Sequence, residues 1–214
     1  MVHSCLDSGA DQILVLGVVH TLTGEIRKAR EKERQGENTK ESSYWGVFQE
    51  IEGEYSLLPF KALWNAEIKR RGIRGPRLIE RYPCLVNRKP EKLLGIEELQ
   101  RIAKDSVVII TGDLNHNGAA YHSSRMIGFG DEGKQFAREN ILRSFELLKE
   151  GNYSNYLEHC YQIINDARDV GTILRYLLGP MTPTILDLEI IDTSMNFEGH
   201  PTPSWVATAL VSLK

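Results

Sequence analysis

Four β-branched residues in a row, Val107-Val108-Ile109-Ile110, stop abruptly at Thr111-Gly112-Asp113-Leu114-Asn115-His116-Asn117-Gly118. A short apolar run bounded by turn-forming residues reads as a buried strand. The polar residues after it read as a loop at the strand's carboxyl end, the edge where open α/β sheets bind ligands. A second such run, Ile13 to Val19, ends in His20. Runs of this kind separated by amphipathic stretches confine the chain to the α/β class. The expected architecture is a single domain over residues 1–214, with a central, mostly parallel sheet flanked by helices on both faces.

The pattern predicts strands over 13–19, 77–86, 107–111, 185–192 and 206–213. Helices are expected over 56–71, 96–104, 134–149, 153–167 and 170–178, the last capped by Asp169. Pro59 suits a first helical turn and Gly151 a helix end. Residues 25–43 are highly charged and nearly devoid of apolar side chains, so a solvated mobile loop or a frayed helix, a candidate lid, is expected there. A net charge of −3 over 214 residues gives no basic field for nucleic acid. No stretch is long and apolar enough to suggest a membrane span. The start, Met1-Val2-His3-Ser4-Cys5, lacks a signal-peptide pattern. Cys5, Cys84 and Cys160 are widely spaced, which fits a reducing, cytoplasmic setting better than a disulfide framework.

Asp113 and His116 are the first candidates for chemistry, as a metal-ligand pair or an acid–base pair; the competing reading is a plain turn. His20 joins them if the two strands are neighbours. His200 lies in a loop before the last strand that could reach the same edge. Glu52 and Glu54 precede Leu57-Leu58-Pro59-Phe60, and a carboxylate there would complete a two-His-one-carboxylate centre of the non-haem Fe(II) type. His122 is expected in a loop or helix near the site, and His3 and His159 in structural roles. The chain has no G-x-S-x-G, P-loop or dinucleotide fingerprint.

Several segments, in order, resemble those of the Memo proteins, which group with the class III extradiol dioxygenases. They are Ile13–His20, Ser56–Phe60, Tyr82–Val86, Thr111–His116, Asp169–Leu174 and Ser204–Leu210. The resemblance implies that His20 is a metal ligand. It implies that Asp113 and His116 line the same pocket, with His116 as the acid–base group. The family's further His upstream of the first strand and its His-Ser-x-Glu segment have no counterpart here. The expected activity is thus a non-haem metal-dependent oxygenase acting on a small organic substrate. His116 and Asp113 would be catalytic, and His20, Glu54 and His200 would hold the metal. Fe(II) is the expected ion, with Cu or Zn as alternatives, or none if the centre is degenerate. A homo- or hetero-oligomer is one way to supply missing ligands and cover sheet edges. Two other classes compete. Gly112-Asp113-Leu114-Asn115 is similar to a segment of Mg-dependent phosphoesterases, and a Memo-like chain can also be a non-enzymatic binding module.

Overall fold

The computed structural model describes residues 1–21, 23–35, 37, 46–196 and 202–213. The protein belongs to the α/β class, and its backbone gathers into two compact units, Met1–Thr111 and Gly112–Lys214.

In the first unit, strand β1 (Gln12–Leu16) lies between β3 (Arg77–Cys84) and β4 (Val107–Ile110), parallel to both. A short β2 (Gly46–Phe48) adds to β3 antiparallel, giving the order β2-β3-β1-β4. Alternation along β1 assigns its two faces. Ile13 and Val15 pack with Val2 and Cys5 of α1 (Val2–Leu6) and with Phe60 and Trp64 of α3 (Leu58–Arg71). Gln12, on the opposite face, reaches the Ile102 carbonyl of α4 (Ile96–Lys104) through its amide at 3.4 Å. Helices therefore flank this sheet on both faces, and Ile13 to Leu16 are fully buried. That double cover explains why β1 is a continuous apolar run rather than an alternating one. The strand stops at Leu16, short of Val19, because Gly17 enters a tight passage. A Cβ there would lie 2.7 Å from Leu57 and 2.9 Å from both Ser56 and Tyr82.

The first half of the 25–43 segment takes the helical form of the two expected. Thr23–Arg34 forms helix α2, with Ile26 and Arg30 buried. The Arg30 guanidinium donates to the Leu85 carbonyl at 2.8 Å, so a charged residue performs the docking that an apolar stripe usually performs. Residues 38–43 lie outside the described residues.

The second unit has a separate antiparallel sheet, in the order β5-β7-β6, built from β5 (Asn115–Gly118), β6 (Pro183–Asp192) and β7 (Ser204–Leu213). Helices α5 (Asp131–Glu150), α6 (Tyr153–Gln162) and α7 (Arg168–Leu178) belong to the same unit. Ala137, Ile141, Phe145 and Leu148 of α5 share one core with Tyr156 and Cys160 of α6, Leu188 and Ile190 of β6, and Trp205 and Ala207 of β7. Gly151 ends α5 with φ 71, its N–H on the Leu148 carbonyl and the following Asn152 N–H on the Leu147 carbonyl. Asp169 does not cap α7. It sits buried inside the first turn, and Ala167 holds the cap position. The three cysteines are buried and unbridged. No helix among the described residues is long and apolar enough to cross a membrane.

Candidate functional site

The segment expected to be a loop after β4 contains a strand. Asn115 to Gly118 pair with Ala207 to Ser204 of β7. Four residues that look like a turn in sequence are held as a strand by the pairing with β7 and by the bonds that the Asn115 and Asn117 side chains make. The Asn115 amide donates to the Ile163 carbonyl at 2.8 Å, and Asn117 donates to the Arg125 carbonyl and accepts from the Ile127 N–H, both at 2.8 Å. This disposition also bears on the phosphoesterase reading. Asn115 is fully buried with its amide committed to backbone carbonyls, so it is not placed to contact a phosphate.

His116 is the centre of the second unit's polar cluster. Helix α6 ends at Ile163, and Ile164 takes the left-handed conformation, φ 52, which is rare for a β-branched residue. This turn presents two carbonyls to β5. Ile163 accepts the His116 backbone N–H at 3.1 Å, and Ile164 lies 2.5 Å from His116 Nδ1. A carbonyl can only accept, so Nδ1 carries the proton and Nε2 presents its lone pair when the ring is neutral. Nε2 lies 3.6 Å from Asp113 Oδ2 and 3.6 Å from Asp166 Oδ2. The Asp166 N–H donates to the Asp113 carbonyl at 3.0 Å, which ties the two loops together. The imidazole is 7% exposed, whereas the two carboxylates are 45% and 38% exposed, so a buried ring stands behind two half-open acids. Burial alone would lower the His116 pKa. The hydrogen bond to Asp113, the Asp166 charge and the Ile164 carbonyl outweigh it and raise it. Tyr121 packs its ring against the imidazole, 4.7 Å between centroids.

Asp113, His116 and Asp166 together form a group that could hold a metal ion, their ligand atoms all lying within 4.8 Å of one another. Nitrogen and oxygen ligands about 2.0–2.2 Å from a shared ion stand roughly 3–4 Å apart, so the 3.6 Å separations fit. Two carboxylates and one neutral imidazole also balance a divalent charge. Asp166 was not singled out from the sequence. It lies between two helices fifty residues after His116, and its backbone N–H on the Asp113 carbonyl helps bring it into register.

His20 and Glu54 form a different cluster, in the first unit. His20 Nδ1 meets Glu54 Oε1 at 3.0 Å, and the imidazole stacks on Tyr55 at 4.8 Å. The expectation of Glu54 as a metal ligand is corrected. Its Oε1 also accepts from the Tyr55 and Ser56 N–H groups, and its Oε2 accepts from the His20 and Thr21 N–H groups. Five donors saturate a carboxylate that is only 1% exposed, leaving no lone pair for an ion. Burial would raise the Glu54 pKa. The His20 ring and the backbone donors of His20, Ser56 and Thr21 overcome this and bring it down to about 2.

His200 lies outside the described residues. His122 follows the single turn Ala119–Tyr121 and is exposed. His159 pairs through Nε2 with the Asn140 carbonyl at 3.0 Å, and His3 lies 3.3 Å from Glu67, both structural contacts. No family model and no curated protein matches the chain.

Proposed function

We propose that this protein is a metal-dependent enzyme with oxygenase-like activity toward a small organic substrate, centred on Asp113, His116 and Asp166. One observation carries the reading: an imidazole whose tautomer is fixed from behind by Ile164 directs Nε2 between two carboxylate oxygens, each 3.6 Å away. A mixed nitrogen and oxygen donor set suits Fe(II) and its neighbours in the first transition row. A bound Fe(II) would supply the electron chemistry needed to use O₂, which side chains alone lack. The protein's own part is to hold the ion with three residues and to fix the imidazole through a backbone carbonyl. The half-exposed carboxylates leave an approach for substrate. The resemblance of Thr111–His116 and Ile13–His20 to the Memo and extradiol dioxygenase pattern supports the reaction class.

A second reading makes His116 and Asp113 an acid–base pair without an ion between them. The raised pKa of His116 supports it, because Asp113, Asp166 and the Ile164 carbonyl favour the protonated ring against its burial.

The test is oxygen uptake by the Fe(II)-loaded protein against a panel of small phenols, diols and other oxidisable organic compounds. A substrate-dependent uptake is expected that falls by a factor of about 10² to 10⁴ in His116→Ala. Uptake unaffected by His116→Ala overturns the assignment. Phosphodiester cleavage with Mg²⁺ in place of oxygen uptake replaces it with the hydrolytic alternative.

A further inference from the structure

We propose that Tyr121 is a positioning residue for this centre, its ring holding the His116 imidazole in the rotation that aims Nε2 at Asp113 and Asp166. The inference rests on the reading of these three residues as the functional site.

An imidazole at the end of a β-strand side chain turns readily about its Cβ–Cγ bond. Two contacts oppose that turn at His116: the Ile164 carbonyl on Nδ1 and the Tyr121 ring, at 4.7 Å and an interplanar angle of 63°. That geometry belongs to the favourable edge-to-face family of aromatic pairs.

Tyr121 is itself braced at both ends. Its single turn, Ala119–Tyr121, follows β5 directly. The Ala119 N–H donates to the Pro203 carbonyl at 3.1 Å, and the Ala120 N–H donates to Ser204 Oγ at 3.0 Å, both at the entry to β7. At the far end the phenol donates to Thr193 Oγ1 at 3.0 Å. Thr193 is buried, and its N–H is fixed on the Ser204 carbonyl at 2.8 Å. The ring is therefore clamped from the ends of β6 and β7 and transmits that rigidity to the imidazole. Burial, followed by the nearby Asp113 and Asp166 charges, raises the phenol pKa against the opposing bond to Thr193. Tyr121 thus stays neutral and adds no third negative charge beside the two acids.

The experiment compares wild type with Tyr121→Ala, Tyr121→Leu, Tyr121→Phe and Thr193→Val. Two measurements are made on each folded protein: ¹⁵N chemical shifts of the His116 ring without metal, at a pH high enough for the ring to be neutral, and the Mn(II) dissociation constant. Tyr121→Phe and Thr193→Val keep the ring, and both should retain the single Nδ1–H tautomer, with Mn(II) affinity within about threefold of wild type. Tyr121→Ala should show mixed tautomers and an affinity at least about tenfold weaker, the loss typical of removing a group that orients a ligand. Tyr121→Leu keeps the bulk without the aromatic contact and should share both changes; it carries the test if the alanine variant does not fold. A single Nδ1–H tautomer with Mn(II) affinity within threefold in Tyr121→Leu or Tyr121→Ala overturns the proposal. A loss in Tyr121→Phe equal to that in Tyr121→Ala overturns it too, by assigning the effect to the hydroxyl. If wild type binds no Mn(II) while the tautomer still mixes in Tyr121→Ala, the metal reading fails and the positioning role stands.

Discussion

His116 holds its proton more tightly than an exposed imidazole does, although burial works the other way. The protonated ring bridges two carboxylates and a carbonyl, and that arrangement stabilises the fold only while the proton is present. Because the folded pKa lies above the ordinary 6.5, the contribution is complete below 6.5 and is lost as pH rises through the folded value. In metal-free protein the thermal midpoint of wild type should therefore fall from pH 6.5 upward, more steeply than that of His116→Gln. Equal slopes in the two proteins would contradict the assignment. Glu54 has the opposite sign. Its pKa is depressed from 4.5 to about 2, so its contribution is present above 4.5 and disappears as pH falls through about 2. Replacing Glu54 by Ala strips the His20 ring and four backbone N–H groups of their acceptor. A loss of about 1–3 kcal/mol is expected in chemical denaturation, from donors left without their acceptor in a partly exposed loop. A loss below 0.5 kcal/mol would show that the loop rearranges around the gap.

Elements differ in how far their sequences announce them. Helix α4 is evident from Ile96, Leu99 and Ala103 falling on one buried face, and its observed limits are those the periodicity gives. Strands β1 and β4 are evident because a sheet covered on both sides needs continuous apolar runs. Helix α2 is hidden because Arg30, not a hydrophobe, reaches inward alongside Ile26. Strand β5 is hidden for a related reason. Asn115, His116 and Asn117 are buried polar residues whose side chains bond to carbonyls and an amide of Arg125, Ile127, Ile163 and Ile164, and none of these partners is local enough to be read from Asn-His-Asn-Gly. The closing residue of β5 offers a sharp test. Gly118 has φ 113, and a Cβ there would lie 2.1 Å from the Pro203 carbonyl oxygen, a backbone atom with nowhere to move. Gly118→Ala should cost at least about 3 kcal/mol, combining an unfavourable φ with a collision. A thermal midpoint within two degrees of wild type would mean that the β5–β7 pairing is not as described.

At the scale of the molecule, each unit has its own sheet, its own core and its own imidazole–carboxylate cluster. The sequence directed attention to both clusters, through His20 at the end of one apolar run and Asp113 with His116 at the end of another. It could not distinguish a carboxylate that anchors a loop from one left open to hold an ion. That difference lies in five hydrogen bonds on Glu54 and in the half-exposed oxygens of Asp113 and Asp166. Asp166 was beyond reach because it depends on the left-handed turn at Ile164, which no residue type there signals. The three residues that could hold an ion all lie within residues 112–214. Anaerobic titration with Fe(II) or Mn(II), counting ions bound per chain in wild type, Asp166→Asn, His116→Ala and His20→Ala, tests the centre directly. One ion per chain is expected in wild type and in His20→Ala, with binding lost in the other two. Undiminished binding in Asp166→Asn, or a loss that follows His20→Ala instead, would contradict it.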